Sequence, residues 1–111
     1  MRNLLASILL VMLSASPAAA LSDADVERFV SSADGMGRTT AMLRACGFEG
    51  KAKAFHGMVM EQMISLLATH ADKVPVLEKN YDGGIKNFKA INKGRTPPGD
   101  TCQKLLDAVS N

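Results

Sequence analysis

The chain opens on Met1-Arg2-Asn3, continues through an apolar run from Leu4 to Leu13, and then passes Ser14-Ala15-Ser16-Pro17 into Ala18-Ala19-Ala20. A positive start, an apolar stretch of this length and an A-x-A end are the three parts a signal peptidase reads. Cleavage is expected between Ala20 and Leu21. A membrane anchor is the alternative, but a spanning helix needs about 20 consecutive apolar residues, and this run breaks at Ser14 and Pro17. No Cys follows the run, so acylation at the cleavage site is not expected either. The leader therefore predicts a periplasmic or secreted protein of bacterial type, with no stable membrane anchor after cleavage.

Processing divides the chain into residues 1–20, the signal peptide, and residues 21–111, one small domain. The whole chain carries 13 Lys and Arg against 11 Asp and Glu, and Arg2 is the only charge in the leader, so the net charge falls from +2 to +1 on processing. That balance gives no electrostatic reason to expect nucleic acid or an anionic membrane as partner. With no Trp, one Tyr and four Phe, stacking platforms for bases or sugars are scarce as well.

A domain this small has little stability to spare. Cys46 and Cys102 are its only cysteines. Export would send them where thiols oxidise, and only one intramolecular pairing exists. Closing the loop between them contributes roughly 4 kcal/mol in the chain-entropy model, an upper-end figure. Neither cysteine sits in a C-x-x-C or beside a His, which favours a structural bond over a reactive or metal-binding thiol.

Helical spacing dominates the rest. Ser22 reads as an N-cap, with Asp23, Asp25 and Glu27 favouring the positive end of a helix dipole. Val26, Phe29, Val30, Ala33, Met36, Gly37, Thr40 and Leu43 then recur every three or four residues, and Gly47 is the expected stop. The small residues Ser31, Ser32, Ala33, Gly35, Gly37 and Ala41 would let a neighbouring backbone come close. A second helix is expected from about Glu49 to Ala71, with one apolar stripe of Phe55, Val59, Met63 and Leu66 beside another of Met60, Ile64 and Leu67. So wide an apolar arc belongs to the central helix of a bundle or to a helix with a partner chain.

Pro75 suits the first turn of a third helix, whose stripe is Val74, Leu77, Tyr81, Gly84, Phe88 and Ile91. Gly83-Gly84 predicts a kink or break in it, and Gly94 its end. After the loop Lys93–Gly99, Asp100 and Gln103 have the D-x-x-Q form of a capping box, which predicts a last helix bearing Cys102, Leu105, Leu106 and Val109. No segment alternates like a strand. The expected fold is all-α, a small four-helix array with one disulfide joining the end of helix 1 to the start of helix 4.

Several residues on this frame could carry function. His56, Met60 and Met63 fall within about 60° of one another on the second helix, and imidazole and thioether are soft ligands that select Cu(I). Packing alone also explains methionines at that spacing. Acid-base pairs such as Glu61 with His56, or Asp82 with Tyr81, form no recognisable pattern, and the motifs of hydrolases, haem attachment and phosphate loops are missing. No cofactor is expected. Lys86, Lys89, Lys93 and Arg95 make a basic strip that a solvated helix face explains, or that could steer an acidic partner.

With its leader, its short helical domain and the pair Cys46 and Cys102, the chain resembles the HdeA-type acid-stress chaperones of the bacterial periplasm. The resemblance implies a small helical fold, one long-range disulfide and a chaperone's role. The same format is similar to small periplasmic inhibitors and immunity proteins that block lysozymes or other wall-cleaving toxins. The leading expectation is a non-enzymatic protein that binds another protein of the cell envelope or host, either as a stress chaperone or as an inhibitor. Phe55, Met58, Met60, Ile64, Leu67, Lys86, Lys89 and Lys93 are its candidate contact residues, and a homodimer would hide the same surface. The rivals are a copper-binding protein using His56, Met60 and Met63, and a small hydrolase acting on the cell wall.

Overall fold

A computed structural model describes residues 22–110. The leader and its cleavage site lie outside the described residues. Four α-helices make up the domain: α1 over Asp23–Ala45, α2 over Glu49–Thr69, α3 over Val74–Asn92 and α4 over Gly99–Ser110, with a 3-10 turn at Ala71–Lys73 between α2 and α3. No strand occurs among the described residues.

The ends of α1 follow local chemistry. Asp25 N–H donates to Ser22 Oγ at 3.2 Å, and the acidic first turn faces the helix's positive pole. At the other end Gly47 takes φ +86°, Gly47 N–H donates to Arg44 O at 3.0 Å and Phe48 N–H to Leu43 O at 2.9 Å. That is a Schellman closure, and it needs a residue free to enter the left-handed region. α2 starts directly from Phe48 and runs back along α1. Its far end is tied to the start of α1, because His70 Nε2 donates to Asp23 Oδ1 at 2.9 Å. Lys73 reaches Glu27 at 3.6 Å beside it.

α3 then runs parallel to α1, since Asn80 Nδ2 donates to Val30 O while, farther along both helices, Gly84 abuts Asp34. Pro75 sits in its first turn, as expected. The expected break at Gly83-Gly84 does not occur, and α3 continues to Asn92. Gly84 is there for a different reason: a Cβ built on it would lie 2.0 Å from Asp34 O, and one built on Gly37 would lie 2.0 Å from Tyr81 O. Two helices can approach this closely only where both lack a side chain, and the packing that results offsets the glycines' poor propensity.

α4 begins at Gly99, where Cys102 N–H donates to Pro98 O at 3.0 Å. The expected capping box is not formed, because Asp100 already lies inside the first turn and Gln103 Nε2 donates forward to Asp107 Oδ1 at 3.0 Å. Cys102 is bonded to Cys46, joining the end of α1 to the start of α4. Leu105 is the one residue α4 adds to the continuous core that α1, α2 and α3 build around Met36, Leu43, Val59, Leu66, Leu77 and Tyr81. Covalent attachment therefore matters more for α4 than for any other helix.

Candidate functional site

α2 divides its apolar arc in two. Phe55, Val59, Met63 and Leu66 face α1 and α3 inside the core, with Phe55 only 3% and Met63 only 5% exposed. The adjoining stripe points outward: Ile64 is 67% and Leu67 55% exposed, and Met60 lies half-buried against the rim of the core. The spacing of Met60, Ile64 and Leu67, i, i+4 and i+7, aligns the three on one ridge. Phe55 is thus a packing residue with no surface to offer a partner, and Met58 is half-buried against the core. Val76 and Ile91 on α3 are the other large exposed apolar side chains among the described residues.

A buried polar chain crosses the same three helices. Thr40 Oγ1 lies 3.1 Å from Met36 O, one turn back along α1. Tyr81 Oη from α3 lies 2.7 Å from Thr40 Oγ1, and His56 Nδ1 from α2 lies 2.8 Å from Tyr81 Oη. Two proton arrangements satisfy these distances: Thr40 donates to Met36 O, Tyr81 to Thr40 and His56 Nδ1–H to Tyr81, or Thr40 donates to Tyr81 and Tyr81 to His56 Nδ1. The two rings meet at an angle of 34° with centroids 5.6 Å apart. Burial pushes the Tyr81 phenol above its usual 10.0, with Asp82 adding to the rise, while the hydrogen bond with Thr40 and the charge of Arg44 pull the other way.

Chemically, Tyr81 is enclosed and already paired, so its hydroxyl is not presented to a substrate. His56, half-buried, keeps only Nε2 for anything outside. The structure pairs His56 with Tyr81, a pairing outside the acid-base candidates Glu61 with His56 and Asp82 with Tyr81, which form no recognisable pattern in the sequence. Both carboxylates lie on exposed positions. One signal could have revealed part of this arrangement, the Thr40–Tyr81 bond: a tyrosine on a core stripe requires a polar partner, and Thr40 was the hydroxyl on the apolar stripe of α1. Of the suggested soft-metal trio, Met60 and His56 reach the rim, while Met63 is enclosed. Among the described residues no group of three or more His, Cys, Asp or Glu could hold a metal ion. Lys86, Lys89 and Lys93 are all exposed. No helix among the described residues is long and apolar enough to cross a membrane.

Searches against protein-family models, curated proteins and solved structures returned no match for this chain.

Proposed function

We propose that this protein is exported and works, without catalysis, by binding another protein through the outer ridge of α2. The observation that carries this reading is the exposure of Ile64 and Leu67 in line with Met60. Single exposed apolar residues are ordinary on any surface, but three in register over two turns form the kind of anchor row that helical recognition uses. Export rests on the leader, and the Cys46–Cys102 bond suits a compartment where thiols oxidise. The exposed Lys86, Lys89 and Lys93 would speed encounter with an acidic partner. The partner is a protein of the envelope or host, either an unfolded client, as for a stress chaperone, or an enzyme that the domain inhibits.

The test replaces both exposed side chains, Ile64→Ser with Leu67→Ser. Surface changes of this kind stay within about 0.5 kcal/mol of the parent stability. The parent protein and the double variant are compared in two assays, suppression of aggregation of a denatured client and capture of envelope proteins. Activity of the parent in either assay, lost in the variant, supports the reading. Inactivity in both, or activity the variant retains, overturns it.

A further inference from the structure

The net charge of +1 on residues 21–111 hides a division along the domain. Gly37 of α1, Gly84 of α3 and His56 of α2 stand at one level, because the two glycines meet at the helix crossing and His56 bonds to Tyr81 beside it. On the side of that level where α1 starts, seven carboxylates outnumber Arg28, Lys73 and Lys79. On the other side, where Cys46 meets Cys102, the balance reverses. Arg44 on α1, Lys51 and Lys53 on α2, Lys86, Lys89 and Lys93 at the end of α3 and Arg95 in the following loop face only Glu49 and Asp100. The pair Arg38 and Asp34 at the level itself, and Lys104 with Asp107 on α4, cancel. All seven cations are exposed, and none makes an ion pair among the described residues, whereas Arg28, His70 and Lys73 at the opposite end are each paired with a carboxylate. Helix dipoles do not offset this charge, since the basic end gathers the C-termini of α1 and α3 and the N-termini of α2 and α4, whose partial charges oppose one another. α1 is about 35 Å long, several screening lengths, so the two ends act as separate charges. At the basic end Ile91, 76% exposed, lies in the last turn of α3, two residues from both Lys89 and Lys93.

We infer that this basic end docks reversibly on an anionic phospholipid surface, its cations meeting headgroup phosphates and Ile91 entering the boundary with the acyl chains. Unpaired cations around an exposed aliphatic side chain suit such a surface. A protein partner fits less well, because lysine is depleted at protein interfaces and five of the seven cations are lysines. The cations come from three helices and a loop, so they surround the end of the bundle instead of lining a pocket for a small anion. Ile64 and Leu67 lie beyond His56, toward the opposite end of α2, and stay clear of a bilayer met in this way. Lipid docking is thus independent of protein binding by the outer ridge of α2.

The test mixes the processed, oxidised protein with vesicles of phosphatidylcholine and phosphatidylglycerol, with vesicles of phosphatidylcholine alone, and with polyglutamate as an acidic peptide. Flotation measures binding to vesicles. Binding to the mixed vesicles only, lost at about 1 M salt where the screening length falls to about 3 Å, is the expected result. Lys89→Gln with Lys93→Gln should weaken it about thirtyfold, since each lysine near the surface contributes a factor of about five. Ile91→Ser should weaken it about tenfold. Lys73→Gln with Lys79→Gln makes the same change in net charge at the opposite end and should alter binding by less than about twofold. Ile64→Ser with Leu67→Ser should leave flotation unchanged, so lipid docking and protein capture are read separately. No binding to the mixed vesicles, equal loss in the two lysine pairs, full binding in Lys89→Gln with Lys93→Gln, or binding to polyglutamate without binding to vesicles each overturns the inference.

Discussion

Gly37 of α1 and Gly84 of α3 lie back to back. A methyl group on either would fall 2.0 Å from a backbone oxygen of the opposite helix, Tyr81 O in one case and Asp34 O in the other. This crossing brings α3 close enough to place the Tyr81 hydroxyl between Thr40 and His56. Because the core of the domain is shared by α1, α2 and α3, the outward ridge of α2 depends on the same closure.

Glycine substitutions separate this crossing from ordinary helix propensity. Gly37→Ala or Gly84→Ala should cost about 3 kcal/mol or more, the upper end for overpacking, because the clashing atoms are backbone and cannot rotate away. Gly35→Ala and Gly83→Ala, where an added Cβ meets nothing within 4 Å, should instead raise stability by about 0.5 kcal/mol. Urea unfolding of the four variants reads both signs.

How far such features were legible in the sequence depended on how local they were. Ser22, Gly47 and Pro75 acted through neighbours within five residues, so the start of α1, its end and the start of α3 could be read from short spacings alone. The disulfide was legible because only one pairing existed. Gly83-Gly84 looked like a weak point because its compensating partner, Gly37, lies on another helix. The His56–Tyr81 pair was invisible for the same reason, being separated by 25 residues. Asp100 and Gln103 matched a capping pattern, yet Gly99 had already started the helix. The breadth of the apolar arc on α2 was plain, but which half would be covered depended on how α1 and α3 packed.

The chain has a single tyrosine and no tryptophan, so phenolate absorbance reports Tyr81 alone. Burial raises its folded pKa above 10.0, which means that the folded state holds the proton after the unfolded state has released it. Stability from this source is therefore complete below pH 10, declines as pH rises above that value and is lost once the folded pKa is passed. An absorbance titration should show a midpoint above 10.0 while helicity persists. Tyr81→Phe should abolish this alkaline loss of stability, and should cost about 1–3 kcal/mol at neutral pH by leaving Thr40 and His56 without their shared hydroxyl partner.

Replacing Cys46 and Cys102 by serine should lower stability by up to about 4 kcal/mol. The loss should not be uniform. α4 adds only Leu105 to the continuous core, so its amides should lose hydrogen-exchange protection while those around Gly37 and Gly84 retain theirs. Equal loss in α4 and at the crossing would show that the bond braces the whole domain.

Processing is checked by the intact mass of the protein recovered from the periplasm. The expected species begins at Leu21, one residue ahead of the Ser22 cap, and gains no mass on alkylation, because both cysteines are bonded. A full-length species with two alkylatable thiols would contradict export.

The most direct measurement of whether the outer ridge of α2 is a binding surface places a photoreactive side chain at position 64 and, separately, at Lys104, an exposed position on α4. Each protein is irradiated with a denatured client and with an envelope fraction. Adducts to another protein from position 64, with few or none from position 104, are the expected result. Equal labelling from both positions, or adducts from neither, would contradict it.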